Sequence, residues 1–245
     1  NKIMEAQGII ASFLPALEAH EFVVYYQPKV DVNSNKICGA EALVRWMHEG
    51  RLIPPMQFIP QLEREGSVCR LDYYVLDETC RFIRKRLDEG KKVPCISVNF
   101  SRRHLEEDCL VKKIVNVIDK YGIDHSYIEI ELTESEDFQN YEIMSEIVDG
   151  LRSEGIATSI DDFGTGYSSL NMIKKVDLNV IKIDKSFIPM ETEYPGKETD
   201  MVMFVSIVDL VRKVGCDIVQ GYVFDKPMPE SEFEVRLEQG YKDEE

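Results

Sequence analysis

The sequence lacks any apolar run approaching the roughly 18 residues that a membrane-spanning helix needs. It also lacks a recognisable signal peptide and a Cys-x-x-Cys pair, and it contains only four histidines. These absences argue against a membrane span in this segment and against a cysteine-rich zinc motif. The six cysteines lie mostly in apolar contexts. We therefore expect free, buried thiols in the cytoplasm or in the cytoplasmic part of a membrane-anchored protein.

Positive charge is scarce relative to negative charge. The 245 residues include 29 Lys and Arg against 45 Asp and Glu, which gives a formal net charge of −16 at pH 7. Proteins that bind polymeric nucleic acid are usually basic, so this composition disfavours such a partner. A small substrate that carries phosphate stays open, provided that bound cations or a few placed Arg and Lys residues offset the acid.

Apolar, β-rich runs alternate with helical patterns along most of the chain, which predicts βαβ units and a largely parallel sheet. The connection VNSNK between the first two strands is too short for a crossover helix, so this pair is predicted to form an antiparallel hairpin. The predicted strands are Phe22–Val30, Ile37–Arg45, Val93–Phe100, Tyr127–Leu132, Ala157–Ile160, Asn179–Ile183 and Ile218–Phe224, and the predicted helices are 69–89, 109–120, 141–153, 166–175 and 199–213.

The chain opens with a helical pattern over residues 3–19 that contains Pro15. We expect residues 1–20 to be a linker helix from an upstream domain and residues 21–245 to form the functional domain. Because the first residue is Asn1 and not Met, we also expect the chain to be part of a longer protein.

Polar residues stand at the end of nearly every predicted strand, and in parallel α/β proteins these positions converge on one edge of the sheet. One such acid is as often a satisfied core residue as a functional one. A series is harder to explain by structure alone, because a buried charge is costly unless it is paired or bound to metal. The series comprises Glu41, Asn99, Glu131, Asp161, Asp162, Lys182 and Gln220.

The chemistry of this series predicts a divalent cation. Carboxylate and amide oxygens are hard ligands that favour Mg²⁺ or Mn²⁺, whereas no histidine lies at these strand ends to favour Zn²⁺. The adjacent Asp161 and Asp162 suit a pair of bridged metals, which would activate a water and stabilise a departing phosphate-ester oxygen. The loop that follows, DDFGTGYSSL (161–170), is a flexible βα loop on its own but an active-site loop in this context.

Eight motifs in order resemble the EAL domain family of bacterial cyclic di-GMP phosphodiesterases, over about residues 20–237. The resemblance implies a TIM-like (β/α)₈ barrel with an antiparallel first strand and metal-dependent hydrolysis of cyclic di-GMP to the linear dinucleotide pGpG. The motifs are YYQPKVD (25–31), GAEALVRW (39–46), IPPMQFIPQLE (53–63), SVNFS (97–101), IEIELTES (128–135), DDFGTGYSSL (161–170), VIKIDKSFI (180–188) and QGYVFDKPMP (220–229).

The resemblance also implies a role for each residue of the series. The implied metal ligands are Glu41, Asn99, Glu131 and Asp161, with Asp162 serving a second metal; Lys182 contacts the nucleophilic water; Gln27, Arg45 and Gln220 contact the substrate; and Glu134 holds the loop 161–170. Glu41, Asp162 and Lys182 would thus be the catalytic residues. Family members often dimerise and often follow a GGDEF or sensory domain, so we expect a homodimer and such an upstream domain.

One departure from the family pattern coincides with a gap in the spacing. A βα unit of a barrel averages about 30 residues, yet the stretch between Lys182 and Gln220 is about twenty residues short of two units. The family's seventh strand, AEGVE, should fall between Leu210 and Val211 and is absent. Either the chain as printed omits a segment of the protein, which the intact ligand series favours, or the strand is truly lost. In the second case the domain would be a catalytically inactive cyclic di-GMP receptor; a protein-interaction module with neither property is the third hypothesis.

Overall fold

The computed structural model describes residues 2–31, 34, 36–133, 141–163, 180–183, 218–219 and 225–240. The helices are α1 (Lys2–Glu18), α2 (Pro55–Glu65), α3 (Val68–Asp88), α4 (Leu110–Asp119), α5 (Tyr141–Ser153) and α6 (Glu230–Gln239), with 3₁₀ helices η1 (Arg102–Glu106) and η2 (His125–Tyr127). The strands are β1 (Phe22–Asp31), β2 (Lys36–His48), β3 (Arg51–Ile53), β4 (Cys95–Phe100), β5 (Ile128–Thr133), β6 (Ala157–Phe163), β7 (Val180–Ile183), β8 (Ile218–Val219) and β9 (Met228–Pro229).

All of these strands join one sheet in the order β7-β6-β5-β4-β2-β1-β8, with β3 paired to β2 and β9 paired to β1. The strands from β2 through β4, β5 and β6 to β7 are parallel, whereas β1 is antiparallel to both β2 and β8. The predicted hairpin and the predicted parallel-dominated α/β sheet are therefore confirmed. Within the described residues, helices connect the parallel strands from β2 to β6, as a parallel sheet requires.

The described part of the sheet is not closed into a complete barrel. Its two end strands, β7 and β8, do not pair with each other among the described residues. The interval between them contains the position of the absent family strand and the predicted helix 199–213, and residues 184–217 lie outside the described part. The predicted helix 166–175 lies outside it as well.

The core is formed by side chains that the strands and the surrounding helices bury together. Tyr26 of β1 stacks on Phe82 of α3 and on Phe233 of α6, at ring-centroid distances of 4.7 and 5.1 Å. Phe13 of α1 makes an edge contact with Phe22 at 5.7 Å, and both are 2 % exposed. The second half of α1 thus packs directly on the sheet, because its apolar residues bury surface there.

Several elements differ from the sequence predictions or were not predicted. The fourth strand begins at Cys95, two residues later than predicted, and α2, β3, β9 and α6 were not predicted. Helix α2 escapes a periodicity search because Pro55 opens it and Pro60 lies inside it. No helix among the described residues has the length and apolarity to cross a membrane. The five described cysteines are free thiols, as predicted, but the expectation that they are buried holds only for Cys80, and Cys109 is exposed.

Candidate active site

The register of the parallel strands aligns the strand-end residues in a staggered row. Glu41 of β2 is opposite Ser97 of β4, and Asn99 lies two residues further along β4. Asn99 is in turn opposite Glu131 of β5. Residues two apart lie on the same face of a strand, so Glu41 and Asn99 share one face. A stagger of this kind is the shear that a curved, barrel-like sheet requires.

Glu41 and Asn99 form the central contact of this row. The amide nitrogen Nδ2 of Asn99 donates a hydrogen bond of 2.7 Å to Oε1 of Glu41, whose residue exposure is 5 %. A hydrogen bond to a charged acceptor is stronger than one between neutral groups. It also orients the amide so that Oδ1, the oxygen that a cation would use, lies on the other side of the group from this bond.

Glu131 adds a second buried carboxylate to the row, with a residue exposure of 0 %. Two buried carboxylates and an amide on adjacent strands form a donor set of oxygen atoms only, since the described row contains no sulfur or imidazole. Such a set fits Mg²⁺ or Mn²⁺. A bound cation would also offset the free-energy cost of burying the two carboxylates.

The two adjacent aspartates lie at an irregularity in the pairing of β6 with β7. Ile160 is opposite Ile181, but Phe163 is opposite Ile183. Asp161 and Asp162 together therefore face the single residue Lys182, which is the backbone pattern of a β-bulge. Bulges are frequent beside active sites, where they change the alternation of a strand. At the level of the backbone, this register brings three predicted site residues to one point of the sheet.

Two of the three predicted substrate contacts lie on the β1–β2 hairpin that carries Glu41. Gln27 is opposite Glu41 in the β1–β2 register, is 6 % exposed, and donates from Nε2 to the backbone oxygen of Asp225 at 3.0 Å. Arg45 lies four residues beyond Glu41 on β2 and is partly buried. Its guanidinium lies 5.5 Å from the centroid of the Tyr25 ring, and Nη1 donates to the backbone oxygen of Val44 at 2.8 Å.

The remaining predicted site residues are placed less completely. Lys182, Asp161 and Asp162 are placed by backbone register alone. Strand β8 ends at Val219, and Gln220 lies outside the described residues, as does Glu134. Their roles stay predictions.

A second polar layer, which was not predicted from the sequence, lies beside the row. Lys29 Nζ lies 2.7 Å from Oε1 of Glu129, and the hydroxyl of Ser159 donates to the same oxygen at 2.9 Å. Lys29 and Glu129 are each 6 % exposed. Each lies two residues from a residue that was singled out, Gln27 and Glu131, so strand alternation would have indicated them.

Comparison with known proteins places this arrangement in a family. The model of the EAL domain matches residues 10–211, which is most of the chain. Two relatives are the bifunctional diguanylate cyclase/cyclic di-GMP phosphodiesterase MucR of Pseudomonas aeruginosa, 34 % identical over 236 residues, and the signalling protein YkoW of Bacillus subtilis, 33 % identical over 238 residues. The matches cover 87 % and 89 % of this chain but only 34 % and 30 % of those proteins, respectively.

Solved structures agree with this assignment. The PaMucR phosphodiesterase in complex with c-di-GMP has a TM-score of 0.82 and 32 % sequence identity, and the match covers 92 % of this chain and 99 % of that one. The EAL domain of Mycobacterium smegmatis DcpA has a TM-score of 0.71 at 25 % identity, covering 91 % of this chain and all of that one. The predicted resemblance is confirmed, and the chain belongs to the EAL domain family.

Proposed function

We propose that this domain hydrolyses one phosphodiester bond of cyclic di-GMP to give linear pGpG, with Mg²⁺ or Mn²⁺ as cofactor, in bacterial second-messenger signalling. The observation that carries the proposal is the buried Glu41–Asn99 hydrogen bond on strands next to the fully buried Glu131. Relatives whose names include cyclic di-GMP phosphodiesterase, such as MucR and PdeR of Escherichia coli, support the substrate and the reaction type.

In this proposal, the row of oxygen donors would hold the cations. Glu41, Asn99, Glu131 and Asp161 are the proposed ligands of the first ion, and Asp162 is the proposed ligand of the second. A pair of divalent ions lowers the pKa of water and stabilises the charge on the leaving oxygen. The bulge in β6 supports the pairing of the two aspartates, because it relaxes the strict alternation that would otherwise send consecutive side chains to opposite faces.

The other residues of the site would orient the reactants. Lys182, opposite the two aspartates in register, is proposed to contact the nucleophilic water. Arg45 presents a planar guanidinium, which suits recognition of a phosphate by two parallel hydrogen bonds. Gln27 and Gln220 are proposed to contact the nucleotide, and Glu134 to hold the loop 161–170. With a net charge of −16, the protein would repel the dinucleotide unless cations offset its acidic groups.

A catalytically inactive cyclic di-GMP receptor is the second candidate. It is favoured by the absence of AEGVE from the sequence. This candidate uses Gln27, Arg45 and Gln220 for binding without turnover. The homodimer, an upstream GGDEF or sensory domain, and a cytoplasmic location stay proposals of the same kind.

The deciding experiment incubates the purified chain with cyclic di-GMP in Mg²⁺ or Mn²⁺ and separates the products by liquid chromatography. We expect linear dinucleotide from the parent protein and its loss on addition of a chelator. Glu41→Gln should reduce turnover at least about a hundredfold, the range for removal of one preorganised electrostatic group. Glu142→Gln, at an exposed position of α5, is the matched control and should leave turnover unchanged.

The result also separates the two candidates. Binding of cyclic di-GMP without product in either metal would reject the hydrolase and support the receptor. Absence of both binding and product would reject both. Full activity of Glu41→Gln would reject the proposed ligand row while leaving the reaction type intact.

A further inference from the structure

A compact group of metal-ligating side chains lies outside the candidate active site, between the first turn of α3 and the segment that follows β4. Cys69 belongs to α3, His104 belongs to η1, and Glu107 directly follows η1. One donor atom from each of the three lies within 4.8 Å of the other two. Thiolate, imidazole and carboxylate are the ligands that zinc takes in proteins.

The imidazole of His104 is held as a metal ligand usually is. The residue is fully buried, and its Nε2 lies 3.0 Å from Oδ2 of Asp72, which also accepts a 2.9 Å hydrogen bond from the backbone nitrogen of Ser101. Its Nδ1 faces the group and has no hydrogen bond of acceptable geometry within the described part of the chain, although Oε1 of Glu107 is 2.9 Å away. Metal-bound histidines characteristically present one nitrogen to a carboxylate and the other to the ion.

The carboxylate of Glu107 is oriented by its own partners. Oε2 accepts hydrogen bonds from Nζ of Lys113 at 2.6 Å and from the hydroxyl of Tyr73 at 3.2 Å. These contacts leave Oε1 as the oxygen directed at His104. Cys69 and Glu107 are both partly exposed, so an ion could enter from solvent.

We propose that Cys69, His104 and Glu107 form a Zn²⁺ site, distinct from the proposed Mg²⁺ or Mn²⁺ site and independent of the proposed function. A thiolate ligand excludes Mg²⁺ as the natural occupant. Three protein ligands leave a fourth tetrahedral position for water. With Zn–N and Zn–O distances of about 2.0–2.1 Å, the two ligand atoms lie about 3.3 Å apart, so the observed 2.9 Å contact needs to open by only a few tenths of an ångström.

The site would fix a segment close to the candidate active site. Asp72, which supports His104, also binds the backbone of Ser101. Ser101 directly follows β4, the strand that carries Asn99. Zn²⁺ would therefore tie the start of α3 to the end of β4 without using any residue of the proposed active site.

The competing explanation is that the two carboxylates hold the His104 imidazole by direct contact, which needs no metal. The two explanations differ in whether Cys69 becomes a thiolate ligand, and Co²⁺ reports this directly. Metal-free protein titrated with Co²⁺ should develop a thiolate-to-metal charge-transfer band at one equivalent, and Zn²⁺ should displace it. An active site built of oxygen donors cannot produce that band.

Matched variants localise the signal. Cys69→Ser and His104→Gln should lose the band, whereas Cys109→Ser, at an exposed cysteine, and Glu41→Gln, in the candidate active site, should keep it. Asp72→Asn should weaken Zn²⁺ affinity by about 10- to 100-fold, the range for a residue that supports a ligand. Circular dichroism of each variant checks the fold. The proposal is overturned if the parent protein shows no band, or if a folded Cys69→Ser protein keeps both the band and the parent Zn²⁺ affinity.

Discussion

Lys29 and Glu129 form an ion pair across the interior of the curved sheet. Their charged atoms lie 2.7 Å apart, although β1 and β5 are separated in the sheet by β2 and β4. Such a contact requires the sheet to curve until β1 faces β5. Because each residue is only 6 % exposed, the pair is largely removed from water, and Ser159 donates a further hydrogen bond to the carboxylate. The pair thus ties two distant strands together beside the candidate active site.

Replacement of Lys29 alone should lower the free energy of unfolding much more than replacement of Lys29 and Glu129 together. Lys29→Met leaves the carboxylate of Glu129 buried without its counter-charge, and we expect a loss of about 3–5 kcal/mol in the free energy of unfolding. The double variant Lys29→Met/Glu129→Met should recover most of that loss, since a buried ion pair is often replaceable by apolar groups. Urea denaturation followed by circular dichroism measures both.

An exposed ion pair of similar length provides the control. Lys120 Nζ lies 2.6 Å from Asp77, but its side chain is 60 % exposed. Lys120→Met should therefore cost less than about 1 kcal/mol. Equal losses of unfolding free energy for Lys29→Met and Lys120→Met would show that burial does not increase the contribution of the interior pair to stability.

The hydrogen bond between Asn99 and Glu41 should appear as energetic coupling in metal-free protein. Each single change to alanine removes the 2.7 Å contact, and the double change removes it only once. We expect a coupling energy of about 0.5–3 kcal/mol in a double-mutant cycle measured by urea denaturation with a chelator present. Additive effects would mean that this contact contributes nothing to the arrangement of the candidate site.

The sequence predicted those features that depend on residues close together in the chain or on the residue type at a strand end. The hairpin followed from the short VNSNK connection, and the staggered row followed from polar residues such as Glu41 and Asn99 at strand ends. Strand alternation places Lys29 and Glu129 on the same faces as Gln27 and Glu131, but their contact across the sheet is a relationship that no local periodicity encodes. Cys69 and His104 were missed for the same reason, since α3 and η1 meet only through tertiary packing.

His125 should make stability depend on pH. Its two ring nitrogens face acceptors, Oδ1 of Asp119 at 2.9 Å and the backbone oxygen of Glu154 at 2.7 Å, and the Asp119 contact, with a smaller contribution from Glu154, raises the pKa of His125 above 6.5. A raised pKa in the folded state stabilises the protein below about pH 6.5 and loses this effect as pH rises through the folded value.

At about pH 5.5 the parent protein should therefore have a higher free energy of unfolding than His125→Gln. The difference should be no more than about 1 kcal/mol, because the contact between His125 and Asp119 is partly solvated. The difference in unfolding free energy should be smaller at about pH 8.5 than at about pH 5.5. Guanidinium denaturation of both proteins at the two pH values tests this. A difference that grows with pH would contradict the proposed protonated contacts.

The mass of the protein tests whether the family's seventh strand is present in it. A closed barrel leaves no strand edge with unpaired backbone groups, so we expect a member of this family to retain its seventh strand. We expect the intact mass to exceed 28.3 kDa by the mass of about twenty residues. Peptide mapping should place these residues between Leu210 and Val211. A mass equal to that of the printed sequence would mean that the strand is lost, and the receptor would become the preferred function.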